Sequence, residues 1–476
     1  MTTLRITPQS LTGTLRIPSS KSMGHRALIC AALAGGRSQV EEISLSRDIL
    51  ATCDCLRQLG AAISQREQTD GRTAFTVDGG RPRQAGKVLD CGESGSTLRF
   101  LIPLAALCDQ PFTFIGSGKL GDRPLTPYED IFQKQGLRFE KGEGSNFPLT
   151  VQGPLKPGEY TLPGSVSSQF ISGLLFALPL LPGPSRLTIT DKLESQSYIA
   201  LTLSALQKYG IVVRHKDYRE YEIPGSQHYQ PQEGAVEGDY SQAAFWLTAG
   251  MLGRTISVAG MDPDSLQGDK AIIPILQRMG GQVTFENGVL VSRPSVSQGT
   301  VIDAADCPDI VPILSVAAAL SQGHTDIIHA ERLRIKECDR LEAMATELTK
   351  LGARITQRPD GLSIDGVEAL TGGTVDCWND HRIAMSLAIA SIQCQGGKAQ
   401  RGGRQRPSGP YSAPPDPAGY ELLRHFHHRR RAPRQVRRCH HGGRHAGGTD
   451  ARGHGQGAGV VPPWSPGAAV PESLHE

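Results

Sequence analysis

Long apolar runs are absent from this chain of 476 residues. No stretch approaches the roughly 18 apolar residues of a membrane-spanning helix. The N-terminal sequence, M-T-T-L-R-I-T-P-Q-S, also lacks the basic start and apolar run of a signal peptide. The ten cysteines include no C-x-x-C pair and lie mostly in apolar segments, as expected for reduced core thiols. We therefore predict a cytoplasmic protein with no membrane segment.

Charge is distributed unevenly along the chain. The net charge is +3, yet residues 397–476 alone hold 13 Lys and Arg against 5 Asp and Glu, which leaves 37 against 42 for residues 1–396. Residues 397–476 also contain no isoleucine and 8 of the 14 histidines. A segment of this composition buries too little apolar surface to offset its chain entropy. We therefore predict that residues 397–476 are disordered.

Five segments share one pattern, in which apolar residues recur at helical spacing up to a glycine and a short strand-like run follows. The glycines are spaced by 76, 74, 70 and 72 residues, and they are Gly60, Gly136, Gly210, Gly280 and Gly352. Glycine just past a helix adopts a left-handed conformation that other residues resist. The spacing predicts a repeated α/β unit of about 70 residues, with each helix packed on a small sheet.

Six further helices are predicted between these segments. Each opens with polar residues and continues with apolar ones, and the predicted ranges are 22–33, 94–107, 167–181, 240–252, 309–320 and 380–392. The sixth has no successor ending in a glycine near position 424, where the sequence is H-F-H-H-R-R-R. The lost repeat indicates an incomplete sixth unit and a frameshifted tail over residues 397–476, which resequencing of the coding DNA would test.

The segment L-R-I-K-E-C-D-R-L, residues 333–341, places two cations near a carboxylate. Lys336, Glu337 and Arg340 are three and four residues apart, so in a helix they would share one face. Such a face can bind an anionic substrate, and its carboxylate can donate a proton only if another influence raises its pKa. The same pattern is also typical of exposed ion pairs on a helix.

Cations and hydroxyls recur where the predicted buried helices begin. P-S-S-K-S-M-G-H-R precedes the first helix, C-G-E-S-G-S-T-L-R the second and G-S-V-S-S-Q-F the third. Backbone N–H groups at a helix start attract phosphate and carboxylate groups. Asp309 begins the fifth helix as a lone carboxylate, a setting that suits a general base or a plain cap. Six such sites at equivalent positions predict a substrate, or two, with several negative charges.

Seven motifs, in order from about residue 4 to 396, resemble those of the 3-phosphoshikimate 1-carboxyvinyltransferase, or EPSP synthase, family. They are P-S-S-K-S-x-x-H-R, G-x-S-G-S-T-x-R, G-D-R-P-L, S-S-Q-F, the P-D that contains Asp309, L-R-I-K-E-C-D-R-L and N-D-H-R-I-A-M. The resemblance implies a two-domain inverse α/β barrel, with three β-α-β-α-β-β units in each domain. The implied first domain is 14–228, and the second combines 1–13 with 229–396.

The resemblance also implies a reaction. Members of this family transfer the enolpyruvyl group of phosphoenolpyruvate to the 5-hydroxyl of shikimate 3-phosphate by addition and elimination through a tetrahedral intermediate, with release of phosphate. We therefore expect these two small molecules as substrates of a monomeric enzyme. The resemblance implies no metal, no organic cofactor, no membrane and no specific nucleic-acid partner.

A role for each matching residue follows from the resemblance. The catalytic residues would be Asp309, which takes the proton of the 5-hydroxyl, Glu337, which protonates the methylene carbon, and Lys21. Residues that would bind shikimate 3-phosphate are Lys21, Ser22, Arg26, Ser167, Ser168, Gln169, Ser195, Tyr198, Asp309 and Lys336. Residues that would bind phosphoenolpyruvate are Lys21, Gly95, Arg123, Gln169, Arg340 and Arg382.

Two alternatives stay open. The sister enolpyruvyl transferase acts on UDP-N-acetylglucosamine and uses a loop cysteine shortly before its R-P, where this chain has Gly118. The other alternative is a catalytically impaired copy that binds shikimate 3-phosphate only. It arises because the family has a further lysine after the His-Arg pair, where this chain has Q-R-P-S-G-P at residues 405–410.

Overall fold

The structure is a computed structural model that describes residues 5–67 and 73–395. All the described residues belong to one compact unit. The tail for which disorder and a frameshift are predicted lies outside the described residues, as does the region near position 424. In the described part of the chain, no helix combines the length and the apolar character needed to cross a membrane.

Eleven α-helices form within the described residues, and two kinds alternate along the chain. Helices of the first kind are largely buried because most of their residues beyond the first turn are apolar; they are α1 (Lys21–Leu33), α3 (Gly95–Ala105), α5 (Ser168–Ala177), α7 (Tyr240–Leu252), α9 (Val311–Ala319) and α11 (His381–Ala390). Helices of the second kind keep part of their surface in solvent; they are α2 (Arg47–Gln58), α4 (Thr126–Gln135), α6 (Gln196–Lys208), α8 (Ile272–Arg278) and α10 (Arg340–Lys350). The six predicted buried helices are therefore confirmed.

Short 3-10 helices precede or extend several of these elements. They are Gly118–Asp122, Leu178–Leu180, Gly268–Ala271, Pro308–Ile310, Glu331–Ile335 and Ser391–Gln393. The one at Pro308–Ile310 forms the predicted start of the fifth buried helix, so Asp309 lies in a tighter turn just before α9.

The glycines that close the repeated segments all follow helices of the second kind. Each has a positive φ, between 67° and 99°; they are Gly60, Gly136, Gly210, Gly280 and Gly352. A side chain at such a φ would be strained, which explains the choice of glycine. The predicted helix ends are confirmed at all five positions.

Five four-stranded sheets repeat one pairing pattern, in which the first two strands are parallel and the other pairs antiparallel. Strands are given in spatial order: the first sheet contains β13 (Glu233–Ala235), β2 (Arg37–Ile43), β4 (Thr73–Asp78) and β3 (Ala62–Glu67). The second contains β5 (Val88–Asp90), β6 (Phe112–Ile115), β8 (Leu149–Gln152) and β7 (Arg138–Glu140). The third contains β9 (Glu159–Leu162), β10 (Ser185–Ile189), β12 (Glu220–Ile223) and β11 (Arg214–Lys216). The fourth sheet contains β1 (Gly13–Arg16), β14 (Ile256–Ala259), β16 (Val289–Arg293) and β15 (Gln282–Glu286). The fifth contains β17 (Val301–Asp303), β18 (His324–Ile328), β20 (Gly361–Asp365) and β19 (Arg354–Arg358).

The sixth sheet contains two strands within the described residues. The strands β21 (Leu370–Thr371) and β22 (Cys394–Gln395) pair in parallel, with Leu370 opposite Cys394. They flank α11 and correspond to the first two strands of the repeated pattern. Residues beyond 395, where two further strands would follow by analogy, lie outside the described part of the chain.

Two hydrophobic clusters form the core. The first is built from residues between 28 and 236, and the second from Ile17 and residues between 240 and 390. The chain passes between them twice: β1, before the first passage, pairs with β14 beside the second cluster, and β13, before the second passage, pairs with β2 beside the first cluster. The two connections run side by side, because Ser20 N donates to Glu237 O at 2.7 Å and Asp239 N donates to Pro18 O at 3.0 Å. The predicted domain boundaries stay predictions.

Candidate active site

Buried helices from both core clusters begin at one cavity. Side-chain oxygens cap five of them: Ser20 on α1, Ser94 on α3, Ser167 on α5, Asp239 on α7 and Asp380 on α11. Residues of these first turns line the cavity, as does Asp309 just before α9. Backbone N–H groups and helix dipoles therefore make the cavity attractive to anions.

All the residues predicted to bind or react line this cavity. They are Lys21, Ser22, Arg26, Gly95, Arg123, Ser167, Ser168, Gln169, Ser195, Tyr198, Asp309, Lys336, Glu337, Arg340 and Arg382. They come from loops and helix starts of both core clusters, so the fold brings distant motifs together. Their individual roles stay predictions.

Asp309 is surrounded by cations. Its Oδ1 lies 3.0 Å from Arg340 Nη1 and 3.7 Å from Lys336 Nζ. Its Oδ2 accepts from Arg382 Nη2 at 3.0 Å and from the Tyr198 hydroxyl at 3.3 Å. Burial raises the pKa of Asp309, but the neighbouring cations outweigh burial and hold the pKa well below its usual range. Asp309 is therefore an ionised carboxylate.

Arg340 binds three carboxylates at once. Its Nε donates to Asp380 Oδ2 at 2.7 Å, Nη1 to Asp309 Oδ1 at 3.0 Å and Nη2 to Glu337 Oε2 at 2.8 Å. Arg123 Nη2 also lies 3.7 Å from Glu337 Oε1. Burial raises the pKa of Glu337, but Arg340 and Arg123 lower it below its ordinary value. In this arrangement Glu337 has no proton to donate.

The predicted shared helix face in this segment is wrong. Helix α10 begins at Arg340, because the Asp339 carboxylate accepts from Glu342 N at 3.0 Å and caps the helix there. Lys336 and Glu337 therefore lie in the loop before α10. The loop still directs both side chains into the cavity beside Arg340.

Two lysines of the cavity differ in their environment. Lys21 Nζ donates to Asp48 Oδ2 at 2.8 Å. Burial lowers the pKa of Lys21, but Asp48 more than compensates and the pKa is raised above its ordinary value. Burial also lowers the pKa of Lys336, and there Asp309 compensates only in part, so the pKa stays below its ordinary value. Lys336 is thus the more readily deprotonated of the two.

Hydrogen bonds hold Arg26 to neutral groups, and Gln169 to Arg99 and Ser96. Arg26 donates from Nε to Thr202 Oγ1 at 2.9 Å and from Nη2 to Tyr198 O at 2.8 Å. Burial lowers the pKa of Arg26 to about 10, which leaves it charged at neutral pH. Gln169 Oε1 accepts from Arg99 Nη1 at 2.8 Å, and its Nε2 donates to Ser96 Oγ at 3.0 Å. These bonds fix both side chains at the cavity wall.

Besides Glu93, three cavity carboxylates were missed by the sequence reasoning. They are Asp48, which pairs with Lys21, Asp239, which caps α7, and Asp269, which is 7% exposed. Burial and then the charge of Asp309 raise the pKa of Asp269 to about 8. Asp48 and Asp269 each stand at the head of a repeated segment, as Tyr198 does. Aligning the repeats would therefore have pointed to them.

A group of three or more His, Cys, Asp or Glu side chains arranged to hold a metal ion does not occur in residues 5–67 and 73–395.

Comparison with known proteins gives a consistent result. The family model described as EPSP synthase (3-phosphoshikimate 1-carboxyvinyltransferase) matches residues 6–401. The 3-phosphoshikimate 1-carboxyvinyltransferase of Clostridium acetobutylicum is 48% identical over 398 residues, which cover 83% of this chain and 92% of that protein. The corresponding protein of Clostridium perfringens is 49% identical over 394 residues, which cover 82% and 91%.

A solved structure shares the fold. The EPSP synthase of Acinetobacter baumannii superimposes with a TM-score of 0.70 at 26% sequence identity, over 82% of this chain and 92% of that one.

Proposed function

The chain belongs to the EPSP synthase family, and from this premise we propose that Asp309 and Glu337 are the general base and general acid of its reaction. The reaction transfers the enolpyruvyl group of phosphoenolpyruvate to shikimate 3-phosphate, a step in aromatic amino-acid biosynthesis. The fold is the two-domain α/β fold of this family. The observation that carries the proposal is that both carboxylates bind one guanidinium, Arg340, at 3.0 and 2.8 Å.

Substrate anions fit the cations of the cavity. The carboxylate of phosphoenolpyruvate would lie against Arg340 and Arg382, and its phosphate near Lys21 and Arg123, which together supply four positive charges. The phosphate of shikimate 3-phosphate would lie near the hydroxyls of Ser167, Ser168 and Ser195. Arginine contacts carboxylate and phosphate groups through two N–H donors, which fixes their orientation as well as their position.

Substrate binding would activate both carboxylates, because a substrate anion would replace them as the partner of the arginines. Arg340 and Arg382 hold the pKa of Asp309 down, and Arg340 and Arg123 do the same for Glu337. A substrate carboxylate or phosphate that contacts these guanidinium groups would neutralise part of the positive charge that acts on Asp309 and Glu337. The pKa values of Asp309 and Glu337 then rise toward the range in which proton transfer is efficient. The cavity thus prepares its acid and base only when phosphoenolpyruvate arrives.

The proposed proton transfers balance. As the 5-hydroxyl oxygen attacks C2 of phosphoenolpyruvate, its proton passes to Asp309 and Glu337 delivers a proton to C3, which gives the tetrahedral intermediate. In the elimination, Glu337 takes a proton back from C3, the bond from C2 to the phosphate oxygen breaks, and phosphate leaves with the proton held by Asp309. The cations stabilise the negative charge that moves onto the phosphate.

Phosphate release tests this proposal. Purified protein is mixed with shikimate 3-phosphate and phosphoenolpyruvate, and Glu337→Gln is compared with Glu342→Gln, an exposed glutamate on α10. We expect Glu337→Gln to lower kcat by about 100- to 10,000-fold, with shikimate 3-phosphate binding unchanged in calorimetry. Glu342→Gln is expected to keep full activity. A Glu337→Gln variant that retains more than about a tenth of kcat would overturn the role of Glu337.

The same assay separates the two alternatives. Binding of shikimate 3-phosphate without turnover in the unaltered protein would identify an impaired copy, and turnover of UDP-N-acetylglucosamine would identify the sister activity. The monomeric state and the cytoplasmic location stay proposals. Light scattering after size-exclusion chromatography tests the first of them.

A further inference from the structure

Glu347 is a buried glutamate of α10 that lies outside the cavity. Its side chain is 1% exposed and is not part of the cavity lining. Its Oε1 accepts from Trp378 Nε1 at 2.8 Å, and its Oε2 accepts from Asp376 N at 2.9 Å. Lys350 Nζ donates to both oxygens, at 2.8 and 2.9 Å. Burying a carboxylate is costly unless it is paired and hydrogen-bonded, and here two of the hydrogen bonds come from the loop that leads into α11.

This carboxylate is ionised at neutral pH. Burial raises the pKa of Glu347, but hydrogen bonds from Lys350, from Trp378 and from the backbone N–H of Asp376 outweigh burial and hold the pKa below its ordinary value. Hydrogen bonds to an ionised acceptor are roughly twice as strong as those between neutral groups. Glu347 therefore attaches the two loop residues firmly to α10.

The attached loop joins β21 to α11 and is mostly exposed. Its exposed residues are 372–374, 376, 377 and 379. Trp378 and Asn379 have φ of 51° and 55°, a left-handed conformation that is uncommon for residues other than glycine. Such a conformation persists only where surrounding contacts impose it. Glu347 supplies two of these contacts, and Asp376 Oδ1 supplies another by accepting from Trp378 N at 2.6 Å.

Helix α10 holds the segment from residue 376 to residue 380 at both of its ends. Arg340, the first residue of α10, donates from Nε to Asp380 Oδ2 at 2.7 Å. Glu347 follows seven residues later in the same helix, which is about two turns and about 10 Å along the axis, so both side chains share one face. The start of α11 is therefore fixed to α10 through Arg340 and through Glu347.

The position of Arg382 depends on this attachment. Asp380 Oδ1 accepts from Arg382 N at 2.8 Å and caps α11. One turn of helix then carries the Arg382 guanidinium into the cavity, where Nη2 donates to Asp309 Oδ2 at 3.0 Å. Release of the loop would move Asp380, and with it the first turn of α11. A displacement of about 1 Å in a group that positions a substrate can cost about 100-fold.

We propose that Glu347 is a positioning residue, which fixes the loop before α11 so that Arg382 is in place to bind the carboxylate of phosphoenolpyruvate. The proposal rests on the proposed function, which assigns that carboxylate to Arg340 and Arg382. Glu347 acts through Asp380 and not by contact with a substrate. Binding of shikimate 3-phosphate is expected to be nearly independent of Glu347, because its phosphate is proposed to lie near serines at the starts of α5 and α6.

Calorimetry with each substrate alone tests the proposal, since neither substrate can react without the other. Glu347→Gln loses the charge and one of the two acceptor oxygens, and it is expected to weaken phosphoenolpyruvate binding by about 10- to 100-fold. The affinity for shikimate 3-phosphate is expected to change by less than about twofold. In the turnover assay, the KM for phosphoenolpyruvate is expected to rise with kcat within about threefold, because a contact made equally in the ground and transition states affects KM alone.

The matched control is Lys350→Gln. The Lys350 side chain binds the same carboxylate but is 47% exposed, and its replacement leaves both loop donors on Glu347. It is expected to leave both affinities unchanged. Trp378→Phe removes one loop donor and keeps the rest of the attachment, so it is expected to weaken phosphoenolpyruvate binding by about 3- to 10-fold even where Glu347→Gln does not fold. Combined with Glu347→Gln, it is expected to add less than its separate effect.

Two outcomes would overturn the positioning role. One is a lower Tm of Glu347→Gln with unchanged affinity for both substrates, because Glu347 would then stabilise the fold and nothing more. The other is equal weakening of both substrates by Glu347→Gln and by Trp378→Phe, because that pattern reports a general distortion of the cavity.

The same measurements separate this inference from the proposed function. An unaltered protein that has no turnover, but whose affinity for phosphoenolpyruvate still depends on Glu347, would overturn the proposed reaction and support the positioning role. Turnover by the unaltered protein with the same KM in Glu347→Gln would overturn the positioning role alone. An unaltered protein that binds no phosphoenolpyruvate would overturn both.

Discussion

Removing the hydroxyl of Tyr128 is expected to destabilise the protein because of a proline in a neighbouring helix. Pro103 lies inside α3, where the N–H of residue 103 would ordinarily pair with the carbonyl oxygen of Arg99. Proline has no N–H, and the Tyr128 hydroxyl donates to that oxygen instead, at 2.7 Å. Tyr128 is fully buried, so in Tyr128→Phe no solvent replaces the lost donor.

The size of the effect follows from this geometry. A buried carbonyl that loses its partner costs about 1–3 kcal/mol. The hydroxyl also lies 3.0 Å from Phe170 O, but it has a single proton, and the carbonyl of residue 170 can pair with the N–H of Leu174 within α5. We therefore expect Tyr128→Phe to lower the free energy of unfolding by about 2 kcal/mol, roughly 30-fold in the unfolding equilibrium.

Pro103→Ala is the matched partner for a double-mutant cycle. It restores an N–H at residue 103, so the Arg99 carbonyl no longer depends on Tyr128. In that background Tyr128→Phe is expected to cost under about 1 kcal/mol. Urea unfolding followed by far-ultraviolet circular dichroism gives the four free energies. Equal losses in the two backgrounds, or a loss below about 0.5 kcal/mol in the natural one, would refute the reasoning.

Two further predictions concern buried carboxylates. In the folded protein the pKa of Asp269 is raised to about 8, against about 3.9 in the unfolded chain. Between these pH values the folded protein binds more protons than the unfolded chain. Its stability therefore falls as the pH rises through this range. Asp269→Asn removes this dependence, so its Tm relative to the unaltered protein is expected to rise between about pH 5.5 and pH 8.5; a constant difference would contradict the assignment. Asp380→Ala deprives Arg340 of its Nε partner and α11 of its cap. It is expected to lower the free energy of unfolding, measured in urea, by about 3–5 kcal/mol. A loss under about 1 kcal/mol would show that Arg340 needs no such partner.

The helices could be predicted because their signals are local. Gly136 takes a φ of 67° directly after α4, and nothing beyond the chain around it is needed to expect a helix end there. The pairing of strands has no such signal. Gly13 lies opposite Ile256, and Val40 opposite Gly234, and the short strands that contain them specify no partner by their own pattern. These two pairings between strands far apart in the chain were therefore beyond the sequence.

The site was predictable in its cations more than in its carboxylates. A lysine or arginine at the start of an apolar helix is conspicuous, as Lys21 and Arg382 are, because ordinary packing gives it no reason to be there. An aspartate at the same place is the usual helix cap, and Asp239 is one, since it accepts from Ser241 N at 2.8 Å. That Asp239 also lines the cavity depends on which helices meet, and only the tertiary structure determines this.

The three carboxylates on Arg340 differ in exposure, and the difference gives them separate parts in the proposed reaction. Their side chains are 0%, 19% and 37% exposed for Asp380, Asp309 and Glu337. A substrate anion cannot reach Asp380, which therefore keeps Nε in place while anions exchange at the two Nη groups. Glu337 is the carboxylate most easily displaced, as a proton donor released by substrate must be. A lysine in place of Arg340 would keep the charge but would have no separate N–H group for Asp380 to hold. The exchange of anions therefore requires an arginine.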